Sequence, residues 1–147
     1  MRVFFLLFNC LFILTACGLN ANQEKTLNSA VVKYLFAVNS DLKLSRASYT
    51  HPSVLKYYKS KGNDQFKNYF LKEEMIWTDF VIGRIESKEN YVHVELKIAL
   101  KKDEYSEPVK KRNSIFAISD DSGSTWFFVE NEDYNLTSGV NFKRLIK

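Results

Sequence analysis

Past residue 17 the chain contains no cysteine; Cys10 and Cys17 are the only two. The folded part therefore holds no disulfide, no thiolate nucleophile and no thiolate metal site, and its stability must come from a packed core. Histidine is nearly as scarce, with His51 and His93 alone. Neither stands at ligand spacing from the other or from a carboxylate, so no metal and no cofactor is expected. Charge of one sign is also missing: 21 basic residues face 17 acidic ones, a net charge of +4. The basic residues are dispersed, apart from Lys101-Lys102 and Lys110-Lys111-Arg112. That balance is too mild for a nucleic-acid footprint, though it allows some attraction to acidic lipids or polymers. No apolar run reaches the roughly twenty residues that span a bilayer. There is no internal repeat, low-complexity run or second-domain linker.

What is present begins at the N-terminus. Met1-Arg2 supplies one positive charge, and residues 3–14 are apolar except for Asn9 and Cys10. This is the charge and length pattern of a signal segment. It ends in Leu14-Thr15-Ala16-Cys17, which resembles the bacterial lipobox: an aliphatic residue, two small residues and a cysteine. Small side chains at Thr15 and Ala16 let an extended backbone lie in a peptidase cleft, and the Cys17 sulfur can form a thioether with diacylglycerol. The resemblance implies cleavage before Cys17 and acylation of the new terminus. Each buried methylene then adds about 0.8 kcal/mol, so two or three chains hold firmly where one is reversible. The plainer alternative is that Cys17 is merely a small residue in a signal peptide or a buried helix. Gly18 and Leu19 follow instead of an aspartate, which implies an outer-membrane address in a Gram-negative cell. In a Gram-positive cell it implies the outer face of the single membrane.

The expected organisation is a signal peptide over 1–16, a lipidated tether over 17–22 and one domain over 23–147. Leu27, Ala30, Val31, Tyr34, Leu35 and Val38 recur at helical spacing and predict a helix over 23–39. The stretch 42–49 is ambiguous. Thr50-His51-Pro52 reads as a second helix start, with a capping hydroxyl, inward Val54, Leu55 and Tyr58, and a stop at Gly62. Asp64 opens a third short helix with Phe66, Tyr69 and Phe70 facing inward.

From Ile76 the period changes to two. Ile76, Thr78, Phe80 and Ile82 alternate with Trp77, Asp79 and Val81. Over 91–100, Val92, Val94, Leu96, Ile98 and Leu100 form a buried face, and Tyr91, His93, Glu95 and Lys97 a solvated one. A strand over 112–119 and another over 125–130 flank Asp120-Asp121-Ser122-Gly123, a compact hairpin turn with glycine where a positive φ is wanted. The tail after Asn131 is less regular. Helices followed by two hairpins predict an α+β domain, with N-terminal helices packed on one face of a curved antiparallel sheet of about four strands.

That order resembles the cystatin-like cone of the nuclear-transport-factor-two-like superfamily. Two segments are similar to small bacterial proteins of this type. One is Tyr49-Thr50-His51-Pro52-Ser53-Val54 with the glycine turn at Gly62. The other is the closing hairpin from Phe116-Ala117-Ile118-Ser119-Asp120 through Gly123 to Thr125-Trp126-Phe127-Phe128. Asn63 and Ser124 stand where a second glycine and a lysine are usual. The resemblance implies a fold and carries no activity.

Candidate site residues divide between a sharp and a plain reading. Cys17 is the lipidation site. Asp79, and less so Glu95, would serve as an acid–base group if a cone cavity desolvated it, but both fall on faces expected to point outward. His51 is a ligand-binding candidate at a helix start, where capping or packing is the plain reading. His93 reads as a solvated surface residue, and Asp120-Asp121-Ser122 as a turn without calcium spacing. The two basic clusters read as solvated loop, or as a patch for acidic lipid or polysaccharide. Tyr57 and Tyr58 read as core, or as a partner surface.

The expected protein is a membrane-anchored envelope lipoprotein acting as a binding or interaction module and not as an enzyme. Its partners would be the membrane, through its acyl chains, and an envelope protein. A cone-fold enzyme or carrier for a small hydrophobic ligand, and a structural part of an envelope complex, are the alternatives. An inward polar residue near Trp77 and Tyr34 would favour the enzyme.

Overall fold

A computed structural model describes residues 18–40, 43–71, 75–109 and 113–137. The expectations placed on 1–17, 42, 110–112 and the last ten residues lie outside this set.

Helix α1 (Ala21–Asn39) starts slightly earlier than its apolar stripe because Asn20 caps it. The Asn20 side chain accepts the Gln23 N–H at 2.9 Å, and the Gln23 side chain accepts the Asn20 N–H at 3.0 Å. Two orphan donors are satisfied reciprocally. The ambiguous stretch is a 3₁₀ segment, η1 (Lys43–Tyr49), followed by α2 (Pro52–Ser60) and α3 (Asn63–Leu71). The cap of α2 is His51, whose Nδ1 accepts the Ser53 N–H at 3.2 Å. The Thr50 hydroxyl, expected as the cap, is instead buried and donates to the Arg46 carbonyl at 3.0 Å. Gly62 follows α2 at φ +106°, a conformation that costs a side-chain-bearing residue energy.

Strands β1 (Ile76–Lys88), β2 (Tyr91–Lys101), β3 (Asn113–Ser119) and β4 (Phe127–Glu130) form an antiparallel meander in that order. A second 3₁₀ segment, η2 (Asn131–Thr137), follows β4. The α+β class, the four strands and the helices-first order are as expected, in a cone-like arrangement.

The phase of β1 differs from simple alternation. An irregularity at Thr78 lets Trp77 pair with Leu100 and Asp79 with Ala99, and a second one lies between Ile82 and Ile85. Each extra residue resets which side chains point inward. Trp77 therefore joins Phe80 and Ile82 on the inner face, where strict alternation would have opposed them, and the second irregularity keeps Ile85 on that face as well.

Along β3, neighbouring side chains serve opposite faces. Ile115 and Ala117 join Leu27, Val31, Tyr34 and Val38 of α1 in one apolar cluster that runs from Trp77 to Phe128. Phe116 and Ile118 join Val54, Tyr69, Phe70, Val129 and Tyr134 in a second cluster. Each such side chain contributes about 1.5–3 kcal/mol by leaving water. The long helix thus covers one face, as expected of it. The short helices cover the other face, at the β3–β4 end only. Val81 and Lys97, near the opposite edge, stay exposed.

Candidate functional site

The space between α1 and the sheet is where a cone-fold pocket would lie, and aromatic rings occupy it. Tyr34 stacks on Phe128 with centroids 4.4 Å apart and meets Trp77 edge-on at 6.0 Å. The polar groups nearest Trp77 are spent on the backbone: Asn39 accepts the Trp77 N–H at 2.9 Å and donates to its carbonyl at 2.6 Å.

A groove of about 520 Å³ lies outside this core, between α1, η1 and the β3–β4 connection. Its helical wall is one polar stripe, Asn22, Lys25, Ser29 and Lys33, at the spacing of successive turns. Ser48 and Tyr49 close one end, and Ser124, Thr125, Trp126 and Phe127 form the opposite wall.

Three hydrogen bonds hold that wall against the helix. Gln23 Nε2 donates to the Ser122 carbonyl at 2.9 Å, Thr26 Oγ1 donates to the Gly123 carbonyl at 2.6 Å, and Trp126 Nε1 donates to Thr26 Oγ1 at 3.1 Å. Gly123 sits at φ +88°, and a side chain there would run into Gln23 and Trp126. Asp121 organises the turn by accepting the Ser119 hydroxyl at 2.7 Å and the Ser124 and Thr125 N–H groups at 3.0 and 2.8 Å. Desolvation pushes the Asp121 carboxyl up, but these hydrogen bonds outweigh it and hold the group below the usual carboxylate range. The expected turn is therefore real, and its carboxylate faces its own backbone.

The groove lining contains two ammonium groups, several hydroxyls and three aromatic rings, and no carboxylate. Neither Lys25 nor Lys33 has an ion-pair or hydrogen-bond partner among the described residues. Such a lining offers hydrogen-bond donors and positive charge to a ligand carrying phosphate or carboxylate, with rings to cover its apolar parts.

The residues singled out from the sequence do not converge. Cys17 lies outside the described set. Asp79 is exposed on β1, and its carboxylate accepts the Phe80 N–H at 2.8 Å. His51 lies at the other edge of the sheet, where its N–H donates to the Phe128 carbonyl at 3.0 Å. Burial lowers the His51 pKa, with Asp120 pulling the other way. Glu95 is half-buried and accepts the Ser114 hydroxyl at 2.9 Å. Tyr58 stacks on Tyr69 at 4.0 Å, while Tyr57 is 40% exposed.

His93 corrects the expectation of a solvated side chain: it is only 5% exposed. Tyr134 of η2 stacks on it at 5.3 Å, and Phe116 lies 5.0 Å away. Desolvation lowers its pKa to about 4, against the opposing pull of Glu95.

A second cluster lies behind β4. Arg46 of η1 is 1% exposed, with its guanidinium 3.5 Å from Glu130 and its Nη2 donating to the Tyr69 carbonyl at 3.1 Å. Beside it, Tyr58 donates to Asp133 at 2.9 Å. These groups tie η1, α2, α3, β4 and η2 together. Among the described residues no group of three or more His, Cys, Asp and Glu is placed to hold a metal. No helix among them is long and apolar enough to cross a membrane.

No protein-family model, curated protein or solved structure matches the chain.

Proposed function

We propose that the protein is a lipid-anchored module of the bacterial envelope that binds a polar, anionic ligand in the groove between α1 and the β3–β4 connection. The observation that carries this reading is the division of space. Among the described residues Tyr34, Trp77 and Phe128 pack the core beneath α1, and the roughly 520 Å³ groove outside it is lined by Lys25 and Lys33 without a carboxylate. An enzyme or carrier working in a cone interior would need that interior open and a desolvated acid or base within it. The groove asks only for charge, hydroxyl and ring complementarity. The anchor rests on Leu14-Thr15-Ala16-Cys17 and the segment before it.

Two measurements check the two halves. Cys17→Ser should abolish labelling by a fatty-acid analogue and leave the uncleaved precursor; normal processing of that variant would sink the anchor. Titration with glucose 6-phosphate, followed by amide chemical shifts, should move Ser29, Ser48 and Thr125, whereas glucose alone should leave them in place. Equal responses to the two sugars, or none to either, would remove the anionic ligand.

A further inference from the structure

The outer face of α1 is unusual for a solvated helix. Its inward stripe, Leu27, Val31, Tyr34 and Val38, is buried as it should be. On the opposite side Val32 is 63% exposed and Phe36 76% exposed, one turn apart. Single exposed apolar residues are ordinary, but these two share a face with Lys25, Ser29 and Lys33. Glu24, the helix's only acidic residue, projects about 100° around the helix from Lys25. Exposed apolar residues flanked by two lysines that have no partner among the described residues suit an interface of anionic phosphates over hydrocarbon.

Chain length says which interface is in reach. Only Gly18, Leu19 and Asn20 separate Cys17 from the first residue of α1, and Leu19 packs against the core. The start of the helix therefore lies within about 14 Å of Cys17 even if the intervening chain is fully extended. A helix of 19 residues is about 28 Å long. Standing upright on the anchor, it would hold Val32 and Phe36 in water. Lying down on this face, it would place both rows at the headgroups together.

We propose that α1 lies along an anionic membrane surface, with Val32 and Phe36 entering the headgroup boundary and Lys25 and Lys33 on lipid phosphates. This rests on the reading that Cys17 is acylated. The groove shares Lys25, Ser29 and Lys33 with this face, so its mouth opens at headgroup level.

The test uses the full processed chain carrying Phe36→Trp, in vesicles of equal parts phosphatidylcholine and phosphatidylglycerol with bromine close to the headgroups. The native indoles of Trp77 and Trp126 are buried and set a low background. The introduced indole should be quenched at least roughly twofold more than that background. Adding Lys25→Glu and Lys33→Glu should return it to background. Val81→Trp, on the sheet face away from α1, should stay unquenched. Absence of quenching in a chain that floats with the vesicles overturns the docking and leaves the anchor standing, as does equal quenching at position 81. A chain that does not float with the vesicles overturns the anchor, and the docking with it.

Discussion

Replacing Arg46 by Met should cost the fold about 3–5 kcal/mol, the range for removing one partner of a buried ion pair. Methionine keeps most of the stem volume and removes the charge, so the loss is electrostatic more than steric. The guanidinium is 1% exposed, lies 3.5 Å from Glu130, donates to the Tyr69 carbonyl, and sits 5.3–5.5 Å from the rings of Phe70 and Tyr69. Without it, Glu130 loses a cation that offsets its burial. Urea unfolding followed by the fluorescence of the two buried tryptophans measures the loss. Glu130→Gln is the companion variant. Combined with Arg46→Met it should cost less than the two single losses added, because residues in one charge network are not independent. A loss under about 1 kcal/mol for Arg46→Met would mean that the guanidinium is solvated and the network is not a structural hub.

Phe128→Ala should be about as damaging, at about 3–5 kcal/mol, for a different reason. The ring is fully buried, stacks on Tyr34 and lies beneath α1, so its loss removes transfer free energy and leaves a cavity the neighbours only partly fill. Its backbone carbonyl also accepts the His51 N–H, and an isolated parallel bridge joins it to Thr50. Phe128 is thus the point where the entry to α2, the strand β4 and the long helix meet. The same unfolding experiment checks the prediction, with near-ultraviolet circular dichroism reporting how far the aromatic packing loosens. If the variant lost under about 1 kcal/mol, the interior would not be close-packed, and an internal ligand cavity would regain its standing.

Much of this architecture was legible because the two backbone periods are so different. A 3.6-residue stripe placed α1, and strict alternation placed β2 and its turns. What escaped depended on groups distant in sequence or on a single inserted residue. The extra residue at Thr78 put Trp77 inside, and nothing in the local pattern marks it. His93 alternates with valines as a surface residue should, yet Tyr134, supplied by η2 after the last strand, covers it. Arg46 lay in the stretch without a period, and only the fold brings Glu130 to it. The groove was half-visible: Asn22, Lys25, Ser29 and Lys33 stand at helical spacing, which by itself reads as an ordinary solvated face. Its other wall comes from residues 124–127, joined to α1 through Thr26 and Trp126.

The two irregularities of β1 have one more consequence. β1 is the outermost strand of the meander, 13 residues long, and its far side pairs with no strand among the described residues. A flat strand of that length would be a template for another chain, the route by which sheet proteins join edge to edge into aggregates. Here the ladder is broken at Thr78 and again between Ile82 and Ile85, and Asp79, Arg84 and Glu86 project from it. A second molecule finds no long uninterrupted register to copy. On a membrane, the location proposed above, neighbours would meet often, and that broken edge favours remaining a set of separate molecules.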